Sequence, residues 1–600
     1  MKKLIYAALA LCVVCMVFAD DHIIQFVLSN GKHVSFRTSD IQSIRYDYHD
    51  QDSIDKAYVD SVRAEFVKDS LYQDSLRIDS LKRDSIGRHH TVGYQIDSLE
   101  QYTIFTAALK LTGLYDSLNV YEIRQFELPA NTYDINGYYQ LYCPTTSRNG
   151  FTLFAETDSV MKANGINSLD DLTAYANRVY GNADKWYDYL AEKGLKVSTG
   201  TDYTSPLNAL NMFVAYHILK SAMPVDQLVY ERNSKWMRAQ VWNYCNDGQP
   251  YDYYETMLPH TLMKIWQPQP LTSAKSLYIN RYVTNNTLTD EAASYGSAGM
   301  HVVVRQGVRI DRDSVGGVPQ PNVQAYNGYI HSIQGMLVYD QFVPRGALHE
   351  RMRFDFVSQL PEMNNNGWRF LSMTEASALN GGGSSSRLAF PNDYFENIRV
   401  FDGNTLLRYN IKGAYNAYMS DAMLGWGRGN SLDLAVKLPA LPSGEYEVRL
   451  GFSPMAYGGI VQFYLGDNPS DTTWIPYGIP FDLTIPKEDP RIGWTNYLEE
   501  EDLGIESDKK MRNLGYMRGP YSFKDHPEYG DEGVYSMRSG TRNALFRKIL
   551  GNMVIKQTDS KWLRIKNVTP EISDLRFLLD FIEFVPIDVV GNQAYMEDWY

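Results

Sequence analysis

Hydrophobic positions recur with two different periods along this 600-residue chain, and the change of period divides it. From about residue 101 to 345, short apolar runs alternate with stretches of helical spacing. Phe151-Thr152-Leu153-Phe154-Ala155 is rich in strand formers, and Thr157-Asp158 after it offers a helix N-cap. Ile104, Ala108, Leu111, Tyr115 and Leu118 predict an amphipathic helix over 103–118, with Gly113 as its weak point. The apolar run 207–219 predicts a helix carrying Tyr216 and His217; a histidine there is expected as a hydrogen-bonded core residue. Asn327-Gly328 is a turn dipeptide, and the run from Tyr329 to Val338 predicts a second strand in the same sheet as the first. From about 350 to 590 two-residue alternation takes over, at 444–452, 461–465, 562–565 and 579–585. Trp562 and Phe581, inside such runs, are expected in the core. A Gly-, Pro- and charge-rich segment over 486–542 reads as an excursion. The predicted fold class is therefore multi-domain α+β: an α/β domain followed by an all-β sandwich.

Three of these stretches, taken in order, resemble the fasciclin-type domain. Its hallmarks are an F-T-L-F-A-P-T-D segment, matched by Phe151, Thr152, Leu153, Phe154, Thr157 and Asp158; a Tyr-His pair, matched by Tyr216 and His217; and N-G-x-I-H-x-I-x-x-L-L, matched by Asn327, Gly328 and His331. The chain departs from the pattern at Glu156, where the family has proline. The resemblance implies an extracellular adhesion or interaction module, with these residues structural. Relative to that plan, residues 119–150 and 226–300 are insertions rich in aromatic residues, including Trp236, Trp242 and Trp266. The later run, G-x-Y-x-V, V-x-F-Y-L-x-D and L-D-x-I-E, resembles galactose-binding-like jelly-roll sandwiches, a group that includes many carbohydrate-binding modules.

The first 100 residues are of other material. Residues 1–19 begin with Lys2 and Lys3 and run apolar from Leu4 to Phe18, which predicts a secretory signal cut after Ala19. A lipoprotein signal using Cys12 or Cys15 is the rival reading. Residues 20–50 predict a hairpin about Asn30-Gly31, and Ser39 to Tyr46 resembles a segment found near the N-terminus of surface proteins of Bacteroidetes-type bacteria. Over 51–100, Asp-Ser-aliphatic recurs, four times at five-residue spacing from Asp69. Five helical positions turn about 500°, so no single apolar seam forms and a charged helical or disordered stalk is expected. The tripeptide also resembles the O-glycosylation acceptor of that bacterial group, which would put sugar on Ser70, Ser75, Ser80 and Ser85.

Charge and motifs narrow the function. The net charge of −14 becomes −16 once a signal with two lysines and no acid is removed, which disfavours nucleic acid as a partner. Beyond the signal only Cys143 and Cys245 remain, and export would permit one disulfide between them. Gly425-Trp426-Gly427-Arg428-Gly429 is not flanked as a nucleotide loop would be, and Asp311 to Gly316 lacks the glutamate of a calcium loop. No motif demands a metal or cofactor, so none is expected. If the sandwich binds sugar, an aromatic face with polar neighbours is needed; Trp426 and Arg428 are the leading candidates, then Tyr457 and Trp474. The expected function is non-catalytic: a cell-surface or secreted protein binding an extracellular glycan, with membrane attachment only through a lipid anchor. Protein-mediated adhesion without glycan binding is the first alternative, and a glycan-degrading accessory enzyme the second.

Overall fold

The motif strand Phe151–Glu156 is buried along its whole length, because it runs parallel to Gly328–Ile333 in a sheet covered on both faces. Cα partners are Phe151 with Gly328 through Glu156 with Ile333. This is a computed structural model describing residues 16–18, 21–27, 33–37, 90–129, 141–229, 251–266, 277–285, 301–311, 323–381, 387–411, 421–428, 431–452, 458–470, 472–495, 505–519, 546–569, 574–592 and 595.

The chain forms two compact units, Met1–Lys82 and Arg83–Tyr600. In the first, Met16–Phe18, Asp21–Val27 and His33–Arg37 make a three-stranded antiparallel sheet. Its second hairpin pairs Val27 with His33, and the Asn30-Gly31 turn read from the sequence lies outside the described residues. The first strand lies within the stretch read as a signal.

The second unit is mixed α/β with sheet predominating, and it holds two hydrophobic cores. The first core surrounds an eight-stranded sheet. Seven strands run in the order Ile218–Leu219, Phe151–Glu156, Gly328–Ile333, Val308–Ile310, Leu277–Ile279, Leu262–Trp266, Tyr251–Glu255, and Val323–Ala325 also pairs with Gly328–Ile333. The predicted insertion at 226–300 thus supplies strands to this sheet, and Trp266 is a core residue. Packing reaches further towards the N-terminus than residue 101: Val92 and Ile96 are buried, so residues 90–100, read as the end of a stalk, belong to this lobe. The helix predicted over 103–118 is two helices, Thr103–Leu111 and Leu114–Leu118, broken where Gly113 adopts a left-handed φ of 74°. The helix expected over 207–219 is Ala209–Tyr216, and His217 is its C-cap.

Three antiparallel sheets surround the second core. The first runs Met352–Asp355, Phe581–Pro586, Gly444–Phe452, Phe546–Ile555, Tyr516–Arg518; the second Arg387–Phe390, Thr405–Ile411, Asp421–Arg428, Asp574–Leu579. The third runs Ile398–Val400, Asp433–Lys437, Trp562–Asn567, Ile460–Gly466, Ile475–Asp482. The alternation read at 579–585 is split at Asp580 between two strands of different sheets. The excursion over 486–542 gives back structure too, since Tyr516–Arg518 is an edge strand of the first sheet.

The lobes meet through buried polar groups. Gln557 accepts from the Tyr189 amide at 3.1 Å and donates to the His260 carbonyl at 2.9 Å and the Tyr339 hydroxyl at 3.0 Å. Asp252, Asp355 and Asp421 surround Arg369, whose Nη2 donates to Asp355 at 2.5 Å and Nε to Asp421 at 3.4 Å. Tyr254 and Ser358 hydroxyls donate to Asp252 at 3.2 and 3.3 Å. Burial pushes the Asp252 carboxyl up to about 6 despite these partners. A carboxyl raised in the folded state contributes stability that is complete below its ordinary value and lost as pH rises through the folded one. Asp252→Asn is therefore expected to gain on the wild type by about 3 kcal/mol between pH 4 and 7.5, read as the difference in urea unfolding.

Candidate functional site

The fasciclin-like motif residues converge, and what they build is interior. Thr157 caps the next helix by accepting from the Val160 amide at 3.3 Å, and Asp158 accepts from Thr103 Oγ1 and the Ile104 amide at 2.5 and 3.1 Å. Asn327 is a buried hub: its Oδ1 accepts from the Val92 amide at 2.8 Å, and its Nδ2 donates to the Leu118 and Val120 carbonyls at 2.9 and 3.0 Å. Tyr216 donates to the Leu262 carbonyl at 3.1 Å. His331 is held by the Met223 carbonyl at 2.9 Å, and burial pushes its imidazole down to about 4, so it is a neutral core residue.

Glu156, the departure from the pattern, has a place of its own. It is fully buried, lies 3.1 Å from His217 Nε2 and accepts from the Leu337 amide at 2.8 Å. His217 Nδ1 faces the Phe213 carbonyl at 2.7 Å and so carries hydrogen, which means a proton must also sit between Nε2 and the carboxyl. With no exposure at either side chain, this pair is an internal tie rather than a reactive site.

The leading sugar-binding candidate from the sequence fails on burial. Trp426 lies within strand Asp421–Arg428, opposite Leu406 and Arg576, and is only 2% exposed. Alternation puts Met423 and Gly425 towards the sandwich core and the Trp426 ring on the opposite face of the strand, where it is nonetheless covered, with the Arg408 guanidinium 5.5 Å from it, so it offers no face to a ligand. Arg428 ends that strand, opposite Asp574. Tyr457 lies outside the described residues, as do Ser70, Ser75, Ser80, Ser85, Cys12, Cys15 and Cys245. Cys143 carries a free thiol among the described residues, with burial pushing it up to about 11, and the Cys143–Cys245 pairing allowed by the sequence lies partly outside them.

Trp474 is placed differently. It is half-buried on the outer side of the third sheet, its ring lying over Gly466, where a Cβ would come within 2.9 Å of it. Phe401 meets it nearly edge-on, ring centroids 5.6 Å apart. The Arg564 guanidinium stands 4.3 Å from the Phe401 ring and 5.5 Å from that of Trp474. Arg564 is in turn locked in a forked pair with Asp433, both contacts 2.7 Å, and Lys566 approaches the same carboxylate at 3.8 Å. Half-buried Tyr464 sits opposite Arg564 on the next strand. The result is a braced aromatic surface with a carboxylate and a guanidinium fixed beside it, which suits stacking on a sugar ring and bonding to its hydroxyls.

Phe401, Asp433, Tyr464 and Arg564 were not singled out from the sequence. The usable signal was Arg564, a polar position alternating with Leu563 and Ile565 in a run otherwise read as core. Among the described residues no group of His, Cys, Asp or Glu is arranged to hold a metal ion.

No family model and no curated protein matches the sequence. Among solved structures, the chain is similar to a fasciclin (FAS1) domain pair from the insect cell adhesion molecule fasciclin I, at 14% identity over 42% of this chain and 53% of that one, TM-score 0.19. It is similar also to a Paenibacillus xanthan lyase, at 12% identity over 32% of this chain and 12% of that one, TM-score 0.18. The chain thus spans about half of the one and an eighth of the other, and at these scores neither likeness carries an argument.

Trp426→Ala and Trp474→Ala separate core from surface. The first is expected to cost about 3–5 kcal/mol by cavity formation; the second, at a half-buried position, about 1 kcal/mol or less in the same denaturant titration.

Proposed function

We propose that this is an exported, cell-surface or secreted, non-catalytic binding protein, in which the fasciclin-like lobe is an adhesion-type scaffold and the sandwich lobe carries a glycan platform. The observation that supports the glycan reading is the cluster of Trp474, Phe401, Tyr464, Arg564 and Asp433 on one sheet face. Its aromatic rings are partly open to solvent and its polar groups are held by ion pairs and by packing, so little ordering is left to be done on binding. In this reading attachment to the cell is through a lipid anchor or absent; among the described residues no helix is long and apolar enough to cross a membrane. A stalk glycosylated at Ser70, Ser75, Ser80 and Ser85 would hold the platform away from that anchor.

One feature favours protein-mediated adhesion as a second reading. The edge strand Ile475–Asp482 exposes Ile475 and Ile479, at 67% and 76%. Pro476 and Pro480 interrupt its row of donors, which protects the edge from indiscriminate pairing while leaving apolar side chains for a specific partner.

Affinity electrophoresis of the full chain through gels containing single polysaccharides tests the first reading. Retardation by at least one polysaccharide, lost in Trp474→Ala with unchanged unfolding, is expected. Equal migration of both proteins in every gel, with capture of a surface protein that fails after Ile479→Asp, would favour the second.

A further inference from the structure

The cations on the platform single out the kind of glycan it would hold. Leu434, Val436, Leu563, Ile565, Val461 and Phe463 belong to the core, so the alternate positions on those strands face the other way. On that outer side Arg399, Ala435, Arg564, Tyr464 and Pro476 form one continuous row across all five strands, by their Cα pairing. The neighbouring row holds Asp433, Lys566 and Gln462, and Lys437 and Trp562 pair on the far side. Four cations thus share the face with two carboxylates of its own, Asp433 and, at the far edge opposite Ile460, Asp482, and Glu255 reaches Lys437 from the first lobe at 3.1 Å. In a chain of net charge −14 this is a local inversion.

Two of the cations are open. Arg399 is exposed and has no ion-pair partner among the described residues. Lys566 is 48% exposed, with only the 3.8 Å approach to Asp433, whose carboxylate is already taken by Arg564. Strand spacing and rise put Arg399 and Lys566 on the order of 12 Å apart, with Asp433 on the strand between them and Arg564 two residues from Lys566 on its own strand. A neutral sugar stacks without cations. An acidic polymer of low charge density, by contrast, meets spaced cations here and escapes the repulsion that the whole chain's charge imposes on a polyanion as dense as nucleic acid.

We propose that the platform binds a carboxylated glycan, a polymer containing uronic acids, with Arg399 and Lys566 pairing its carboxylates while Trp474 stacks on its rings. Arg564, held by Asp433, positions the aromatic cluster. This rests on the glycan-binding reading above.

The test compares polygalacturonate, alginate and hyaluronan, each with its methyl-esterified counterpart, for binding to the full chain at low and high salt. At least one acid form is expected to bind about 10-fold more tightly than its ester, weakening as salt rises. Arg399→Ala with Lys566→Ala should reduce the acid form to the affinity of the ester and flatten the salt dependence, with unchanged unfolding; Trp474→Ala should weaken both forms. If no acid form exceeds its ester, or if the double variant binds the acid form like the wild type, the charge reading is overturned while Trp474-dependent binding keeps the platform. If neither form of any polymer binds, both readings fall.

Discussion

Replacing Glu583 with glutamine is expected to destabilise the protein by about 3–5 kcal/mol at pH 7, because it removes the charge shared by several buried guanidinium groups while keeping the side chain's shape. Glu583 is fully buried in the middle of strand Phe581–Pro586. Arg353 donates to it at 2.9 Å and Arg547 at 3.1 Å, and Arg351 and Arg449 stand at 3.5 and 3.7 Å. Burial alone would raise the carboxyl; the guanidinium groups of Arg547, Arg351, Arg353 and Arg449 overcome that and hold it at about 2. A carboxyl lowered in this way contributes stability above its ordinary value and loses it as pH falls through the folded one. The gap between wild type and Glu583→Gln should therefore be full at pH 7 and close between about pH 4.5 and 2. Urea unfolding at several pH values measures it. A variant within 1 kcal/mol of wild type at pH 7 would mean that the arginines are neutralised without Glu583.

Gly328→Ala should have an effect of similar size for a different reason. A Cβ there would lie inside the van der Waals contact of the Phe151 carbonyl oxygen on the parallel partner strand. Backbone cannot rotate away as a side chain can, so the two motif strands must separate at the point where Asn327 ties in the N-terminal helices. A loss of about 3 kcal/mol or more is expected, with reduced soluble yield. Gly165→Ala is the comparison: its φ of +80° also lies where alanine is disfavoured, but nothing lies within 4 Å, so about 1–2 kcal/mol is expected. Equal losses at the two glycines would locate the cost in conformation and not in strand approach.

The sequence was informative where one physical requirement sets the residue. Asn327-Gly328, Thr157-Asp158 and the alternation at 444–452 each mark a turn, a cap or a strand, and each is present. It was less informative where burial depends on what packs from a distance. Glu447 and Arg449 alternate with Tyr446, Val448 and Leu450, a pattern that does not say what covers the polar side; that face is buried and carries the ion pairs around Glu583. Trp426 misled for the same reason. A tryptophan between glycines reads as a loop, but Gly425 and Gly427 are small because Leu434 and Leu432 press against them, and the segment is a central strand. Trp474 was legible as an aromatic residue in a polar stretch; its braces Phe401 and Arg564 come from strands distant in sequence, and no local pattern joins them.

The central claim is that the Trp474 face binds glycan without altering it. Titration calorimetry of the full chain against a retained polysaccharide, followed by sizing of the recovered polymer and assay for new chain ends, tests both halves together. The account predicts saturable heat, at least about 10-fold weaker binding in Trp474→Ala with unchanged unfolding, and polymer recovered at its original length. Binding unaffected by Trp474→Ala, or new chain ends that accumulate with time, would contradict it.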